Sequence, residues 1–237
     1  MKLALGLFSL LVALLLPCNG GADQEALREE FATLENWEPV TFPKIARHSS
    51  YETRTSEGEN YLVAQSSGSA SAIRSIHEFD VYRYPIGKWR WKVDNVYAKG
   101  NLLEKEGDDY PLRVYIMFKD DPGQASFGEQ LQYGLAKIVY GAYPPHSSLN
   151  YIWANREEEQ GIHPSPYTDK ARLLVLRAGA AEVGRWVEEE VNLLEDYRRA
   201  FGTEPPATAT IAIMNDSDNT GEAATSYVDY ILVQENK

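Results

Sequence analysis

Hydrophobic and polar residues alternate with a period of two along much of this chain. In the WRWKVD string at 89–94, Trp89, Trp91 and Val93 share one face while Arg90, Lys92 and Asp94 share the other. That is the pattern of a strand with one buried side. Residues 110–118 repeat it: Tyr110, Leu112, Val114, Ile116 and Phe118 fall on one face, and Arg113, Tyr115 and Met117 on the other. Residues 61–64 form a short apolar run that ends in the turn-forming string SSGSAS, and residues 150–154, 172–176, 208–214 and 226–233 read as further strands. Many short strands with turn chemistry between them predict an all-β sandwich.

Two stretches change period. The SFGE string at 126–129 is a capping box, after which Phe127, Leu131, Leu135, Ile138 and Val139 line one helical face and Gly141 can stop the helix. A second helix starts at the NLLE string at 192–195 and stops at Gly202, with Pro205 and Pro206 preventing continuation. The expected fold is therefore a β-sandwich of jelly-roll, galactose-binding-like form with two short covering helices. A single domain spans 37–237, and the acidic residues 23–36, partly helical in character, lead into it.

The N-terminus has its own pattern. Lys2 precedes an apolar run at 3–16, and Gly20-Gly21-Ala22 supplies the small residues a signal peptidase reads. The expectation is a signal peptide over 1–22, cleaved after Ala22, and a secreted or periplasmic protein. Cys18 is the one cysteine, and Pro17 before it argues against a lipoprotein anchor. Cleavage leaves a chain with no thiol, which excludes cysteine nucleophiles and cysteine metal sites. No later stretch is long and apolar enough for a transmembrane segment. A net charge of −12 repels nucleic acid and anionic lipid surfaces. Neutral ligands, cations and anionic sugars met by a local basic patch stay open.

Five strings in order resemble the bacterial exported family DUF3047: WRWKVDNV at 89–96, EGDDYPLRVYIMF at 106–118, YPPHSSLNYIWAN at 143–155, DYRRAFGTEPP at 196–206 and IAIMNDSDNTGEAATSYVDY at 211–230. The resemblance covers about residues 37–231 and implies a one-domain exported protein. Ser217 stands where that family usually has Thr. A more distant likeness is to carbohydrate-binding jelly-roll modules, whose closing strand Tyr227-Val228-Asp229-Tyr230-Ile231 resembles.

The candidate chemistry sits in two acidic loops and in the aromatic residues. Asp216, Asp218 and Thr220 alternate before Gly221 as in the first half of a calcium loop, but Tyr227 stands where the closing Glu belongs. Glu222 or an acid from elsewhere in the fold would complete a structural calcium site with Asp216 and Asp218. The simpler reading is a turn between the last two strands. Asp108 and Asp109 enter the strand that carries Arg113 and Tyr115, and these four are the catalytic candidates, with His146, for a polysaccharide lyase or hydrolase. Arg113 suits bidentate carboxylate binding, with an internal Asp or a ligand as its partner. With 15 Tyr and 5 Trp, the chain is well supplied with sugar-stacking faces. Arg113, Tyr115, Asn150, Trp153 and Asn155 are the ligand-binding candidates, with Trp153 the expected platform and Trp89 and Trp91 assigned to the core. The four histidines have no ligand spacing, and no serine-hydrolase, phosphate-loop or zinc-protease motif occurs. The first reading is a non-catalytic binding domain for a saccharide or other cell-envelope ligand; the enzyme is the alternative. A shared cleft for Asp109, Arg113, Tyr115, Trp153 and Asp218 would mark a site.

Overall fold

The alternating segments pair into two sheets packed face to face, in a computed structural model that describes residues 25–119 and 146–236. The expected signal peptide, Cys18 and the helix expected after residue 126 lie outside the described residues. The strands of the first half are β1 (Glu25–Glu29), β2 (Trp37–Val40), β3 (Ser50–Ser56), β4 (Glu59–Ser67), β5 (Ala70–Ser75), β6 (Phe79–Asp80), β7 (Ile86–Val93) and β8 (Arg113–Phe118). Those of the second half are β9 (Ser147–Ala154), β10 (Gly161–Pro164), β11 (Ala171–Ala178), β12 (Val187–Asn192), β13 (Thr208–Asp216) and β14 (Ala223–Gln234). One sheet runs β12-β7-β14-β4-β3, with β1 added along β14; the other runs β10-β11-β9-β8-β13-β5-β2, with β6 added along β13. All pairs are antiparallel except β9 with β11. No helix among the described residues is long and apolar enough to cross a membrane.

The core lies between the sheets and is supplied by the apolar face of each alternating segment. Leu62, Trp89, Trp91, Val93, Val228 and Ile231 come from the six-stranded sheet, and Val114, Ile116, Phe118, Tyr151, Trp153, Ile211 and Ile213 from the eight-stranded one. Aromatic pairs bridge the gap, with ring centroids of Trp89 and Tyr151 at 5.2 Å and of Trp91 and Trp153 at 5.8 Å. Burial on this scale is the main stabilising contribution to a fold without disulfides.

The expected helix after residue 192 is α1 (Leu193–Phe201). Asn192 caps it by accepting from the Leu194 and Glu195 amides, and Gly202 ends it in the left-handed region. It covers one end of the sandwich, where Tyr197 packs on Phe118 at 4.7 Å and Asp196 accepts from the Tyr151 hydroxyl at 2.8 Å.

The N-terminal lead-in differs from the expectation. Residues 25–29 are a strand, and residues on either side of its end belong to the core: Leu27, Phe31 and Trp37 are all buried. Glu29 explains the local geometry. It is buried and accepts from the Phe31 amide at 2.7 Å and from Trp37 Nε1 at 3.0 Å. An acidic residue that reads as solvent-facing instead satisfies two interior donors.

Candidate functional site

The acidic loops meet, as the sequence suggests, but they do so inside the protein. Residues 94–112 fold over one end of the eight-stranded sheet. Instead of extending β8 backward, the chain makes a single 3-10 turn at Lys105–Gly107. Asp108 and Asp109 are therefore outside the strand, and the alternation expected of them does not apply. Asp108 Oδ2 lies 3.4 Å from Arg113 Nη1, and its carbonyl accepts from Nη2 at 2.6 Å. Asp109 accepts from the Thr220 amide at 2.6 Å and from Asn219 Nδ2 at 3.2 Å.

Arg113 takes the internal partner. Its guanidinium binds Asp216 through two nitrogens, Nε donating to Oδ1 at 2.9 Å and Nη2 to Oδ2, and stacks over Tyr110 with 4.4 Å to the ring centroid. Both residues of the pair are almost fully buried. Burial pushes the Asp216 carboxyl up to about 7 against the opposing pull of Arg113, with Asp109 and Asp108 adding to the rise. Burial likewise raises Asp108, against Arg113, and raises Asp218.

The NDSDNTG segment does join the last two strands, but these strands belong to different sheets, so it is a crossing between layers. Asn215 faces inward and is fully buried, donating from Nδ2 to the Ala64 carbonyl at 2.9 Å while its own carbonyl accepts from Ser49 Oγ at 2.6 Å. Asp216 faces the other way, to Arg113. Gly221 closes the turn with φ of 71° and its amide on the Ser217 carbonyl at 2.9 Å, a backbone shape that favours glycine.

Three carboxylates converge here. Asp109, Asp216 and Asp218 each offer an oxygen within 4.8 Å of the others, a donor set that could hold a hard cation. Glu222 is not the third acid: its carboxylate accepts from the Ala98 and Lys99 amides at 3.1 and 2.9 Å, tying down the covering loop. The third acid is Asp109, from the loop before β8. Both oxygens of Asp216 already face Arg113, and both of Asp109 accept N–H groups.

The other singled-out residues scatter. Trp153 is fully buried in the main core, with Nε1 donating to the Gly179 carbonyl at 3.2 Å, so its face is not presented to a ligand. Asn155 is a strut: Nδ2 donates to the Asp109 carbonyl at 2.7 Å and Oδ1 accepts from the Tyr97 amide at 2.8 Å. Its contact with Gly100 is so close that a Cβ there would lie 2.1 Å from Nδ2. Asn150 and Tyr115 stand opposite each other on the outer face of the β8–β9 pair, with Asn150 buried. His146 is at the far end of those strands, beside Phe118. Asp109, Arg113 and Asp218 come together in a largely buried network with Tyr115 near Arg113, but Trp153 does not join them.

An open site lies on the outer face of the six-stranded sheet. Its strand register aligns a row that starts with Trp186, just before β12, and continues through Lys92, Tyr227, Val63 and Glu52. Tyr61, Trp186 and Tyr227 form a triangle with centroid separations of 6.2, 6.0 and 6.1 Å, all edge-on and all half-buried. Lys92 Nζ sits 4.0 Å from the Tyr227 centroid and 5.3 Å from that of Trp186. The Tyr227 hydroxyl donates to Asp94 at 2.8 Å, and burial followed by this carboxylate pushes it up to about 12. Asp94 in turn lines an adjoining polar cleft of about 510 Å³, with Arg47, His48, Gln65, Asn95 and Thr225. Sequence reading missed this site. Lys92 was legible as an outward position, but VGRWVEEEV did not read as a strand and Tyr227 was given no face, so nothing brought Trp186 beside them.

A two-sheet, mostly antiparallel β-sandwich with an aromatic outer face thus defines the class. The chain belongs to the DUF3047 family, described as "Protein of unknown function", whose model matches residues 35–232. No curated protein matches it. Among solved structures, it is similar to a family 11 carbohydrate-binding module from Clostridium thermocellum in complex with a β-1,3-1,4-mixed-linked tetrasaccharide. Identity is 10%, coverage is 88% of this chain and 94% of that one, and the TM-score is 0.43. The mannan-recognising module TmCBM27 gives 12% identity, 91% and 99% coverage and a TM-score of 0.39. Endoglucanase 3 of Trichoderma harzianum, from family GH12, gives 7%, 85% and 99%, and 0.38.

Proposed function

We propose that the protein is an exported saccharide-binding β-sandwich whose ligand lies on the outer face of the six-stranded sheet. The observation that carries this is the Tyr61–Trp186–Tyr227 triangle beside the polar cleft. Aromatic rings offer apolar contact to sugar C–H groups, while Gln65, Asn95 and Thr225 offer donors and acceptors for hydroxyls. The rings are already held in place by one another and by Lys92, so little side-chain entropy is lost when a ligand arrives. Binding is favoured over catalysis because Asp108 is engaged with Arg113, and Asp109 with the Thr220 amide and Asn219, in the interior. Glycan-array binding of the purified protein tests the proposal, and loss of signal in Trp186→Ala and Tyr227→Ala is expected; no binding to any glycan would refute it.

A structural calcium is a second reading, carried by the convergence of Asp109, Asp216 and Asp218. Four carboxylates, counting Asp108, surround one guanidinium, and a divalent cation beside Asp218 would offset the excess negative charge. A chelator-dependent melting temperature tests it.

A further inference from the structure

We infer that the saccharide is anionic, a uronate-bearing polysaccharide, and that Lys92 is the residue that selects it. This rests on the saccharide reading above and deepens it. β7 presents three cations to the outer face, and two of them have acids: Lys88 with Glu190 at 2.8 Å and Arg90 with Asp229 at 2.9 Å. Arg54, on the same face, pairs with Glu52. Lys92 differs. Among the described residues its ammonium has no carboxylate within ion-pair distance, and its partners are the ring faces of Tyr227 and Trp186.

In a chain of net charge −12, an unpaired, half-buried ammonium at the centre of a face is costly to keep. The π faces return part of the lost hydration and fix the position of the charge. They leave its outward side without a counterion. A pyranose lying against the triangle with a carboxylate substituent would supply one, and the low local dielectric beside the rings would strengthen the pair. Arg47, exposed at the rim of the cleft, also forms no ion pair among the described residues, so a second uronate along the polymer meets a second cation. Asp94 is the opposing charge. Its carboxylate already accepts from Tyr227, and it disfavours an anion inside the cleft, which leaves that volume to sugar hydroxyls.

Isothermal titration of the purified protein with polygalacturonate and alginate, against mixed-linkage glucan and mannan, decides the question. The expected result is polyuronate binding at least tenfold tighter than neutral-glycan binding and weakened by raising NaCl. Lys92→Gln should lose about tenfold in polyuronate affinity, Lys92→Arg should restore most of it, and thermal melts should show both variants folded. Equal affinity for neutral and acidic polymers, or undiminished polyuronate binding by Lys92→Gln, overturns the inference while the saccharide reading stands. Absence of binding to either class overturns both.

Discussion

Arg113 and Asp216 form a bidentate ion pair within the protein, joining β8 to the end of β13 under the loop that carries Asp108 and Asp109. Two charges buried together gain much less than their Coulomb attraction, because both lose hydration. Removing one partner is another matter. Arg113→Met leaves four carboxylates facing one another without a cation, and the expected cost is about 3–5 kcal/mol of unfolding free energy. Arg113→Lys should recover little, since an ammonium cannot reproduce the two-nitrogen fork. Urea denaturation of both variants checks this, and a loss below about 1 kcal/mol for Arg113→Met would show the pair to be incidental.

Stability should fall as pH rises from about 4 to 8. The native pKa of Asp216, about 7, lies above the ordinary carboxylate value, so between about pH 4 and 7 the folded state holds a proton that the unfolded chain has released, and the ion pair with Arg113 is complete above that range. The contribution is complete below about pH 4 and is lost as pH passes through about 7, on the order of 1–3 kcal/mol. Asp108 and Asp218 are raised in the same direction. Melting temperatures at pH 4.5, 6 and 8 should decline in that order for the native protein and flatten in Asp216→Asn.

Calcium should act where those protons are absent. At pH 8, millimolar CaCl₂ is expected to raise the melting temperature by a few degrees, corresponding to about 1–2 kcal/mol if the ion is present at roughly ten times its dissociation constant. The shift should disappear in Asp218→Asn. Melting that is the same with calcium and with chelator would remove the structural-calcium reading and leave Arg113 as the cluster's cation.

The tryptophans should separate cleanly by face. Trp153→Ala opens the core beside Trp91 and is expected to cost about 3–5 kcal/mol, with glycan affinity intact in whatever fraction remains folded. Trp186→Ala removes one corner of the half-buried outer triangle, costs about 1–2 kcal/mol, and should weaken glycan binding about tenfold or more. Titration and melting of both variants together test the assignment; equal binding by Trp186→Ala and native protein would move the site elsewhere.

Much of the sandwich was legible because its strands alternate. β7, β8 and β14 declare a buried face residue by residue, and Asn192 and Gly202 mark the helix ends by their own chemistry. What was not legible depended on pairing. β12 carries Glu188, Glu189 and Glu190 in succession, yet Glu189 is buried, accepting from Trp91 Nε1 at 3.0 Å and from Arg177 Nε at 2.7 Å. The same holds for the acidic loops. Their residue types indicated a cation partner, but only the crossing from β13 to β14 places Asp216 on Arg113, and Asp109, not Glu222, beside Asp218. Trp153 read as a platform because local sequence does not say which side of β9 meets the opposite sheet.

The position of β14 sets the order in which the molecule can be assembled. This strand lies between β7 and β4 and also carries β1 along its edge, so the first and last described strands finish side by side. Until β14 (Ala223–Gln234) has been made, β7 and β4 have no common neighbour and the six-stranded sheet has no middle. The six-stranded sheet is thereby kept from closing until its central strand is present.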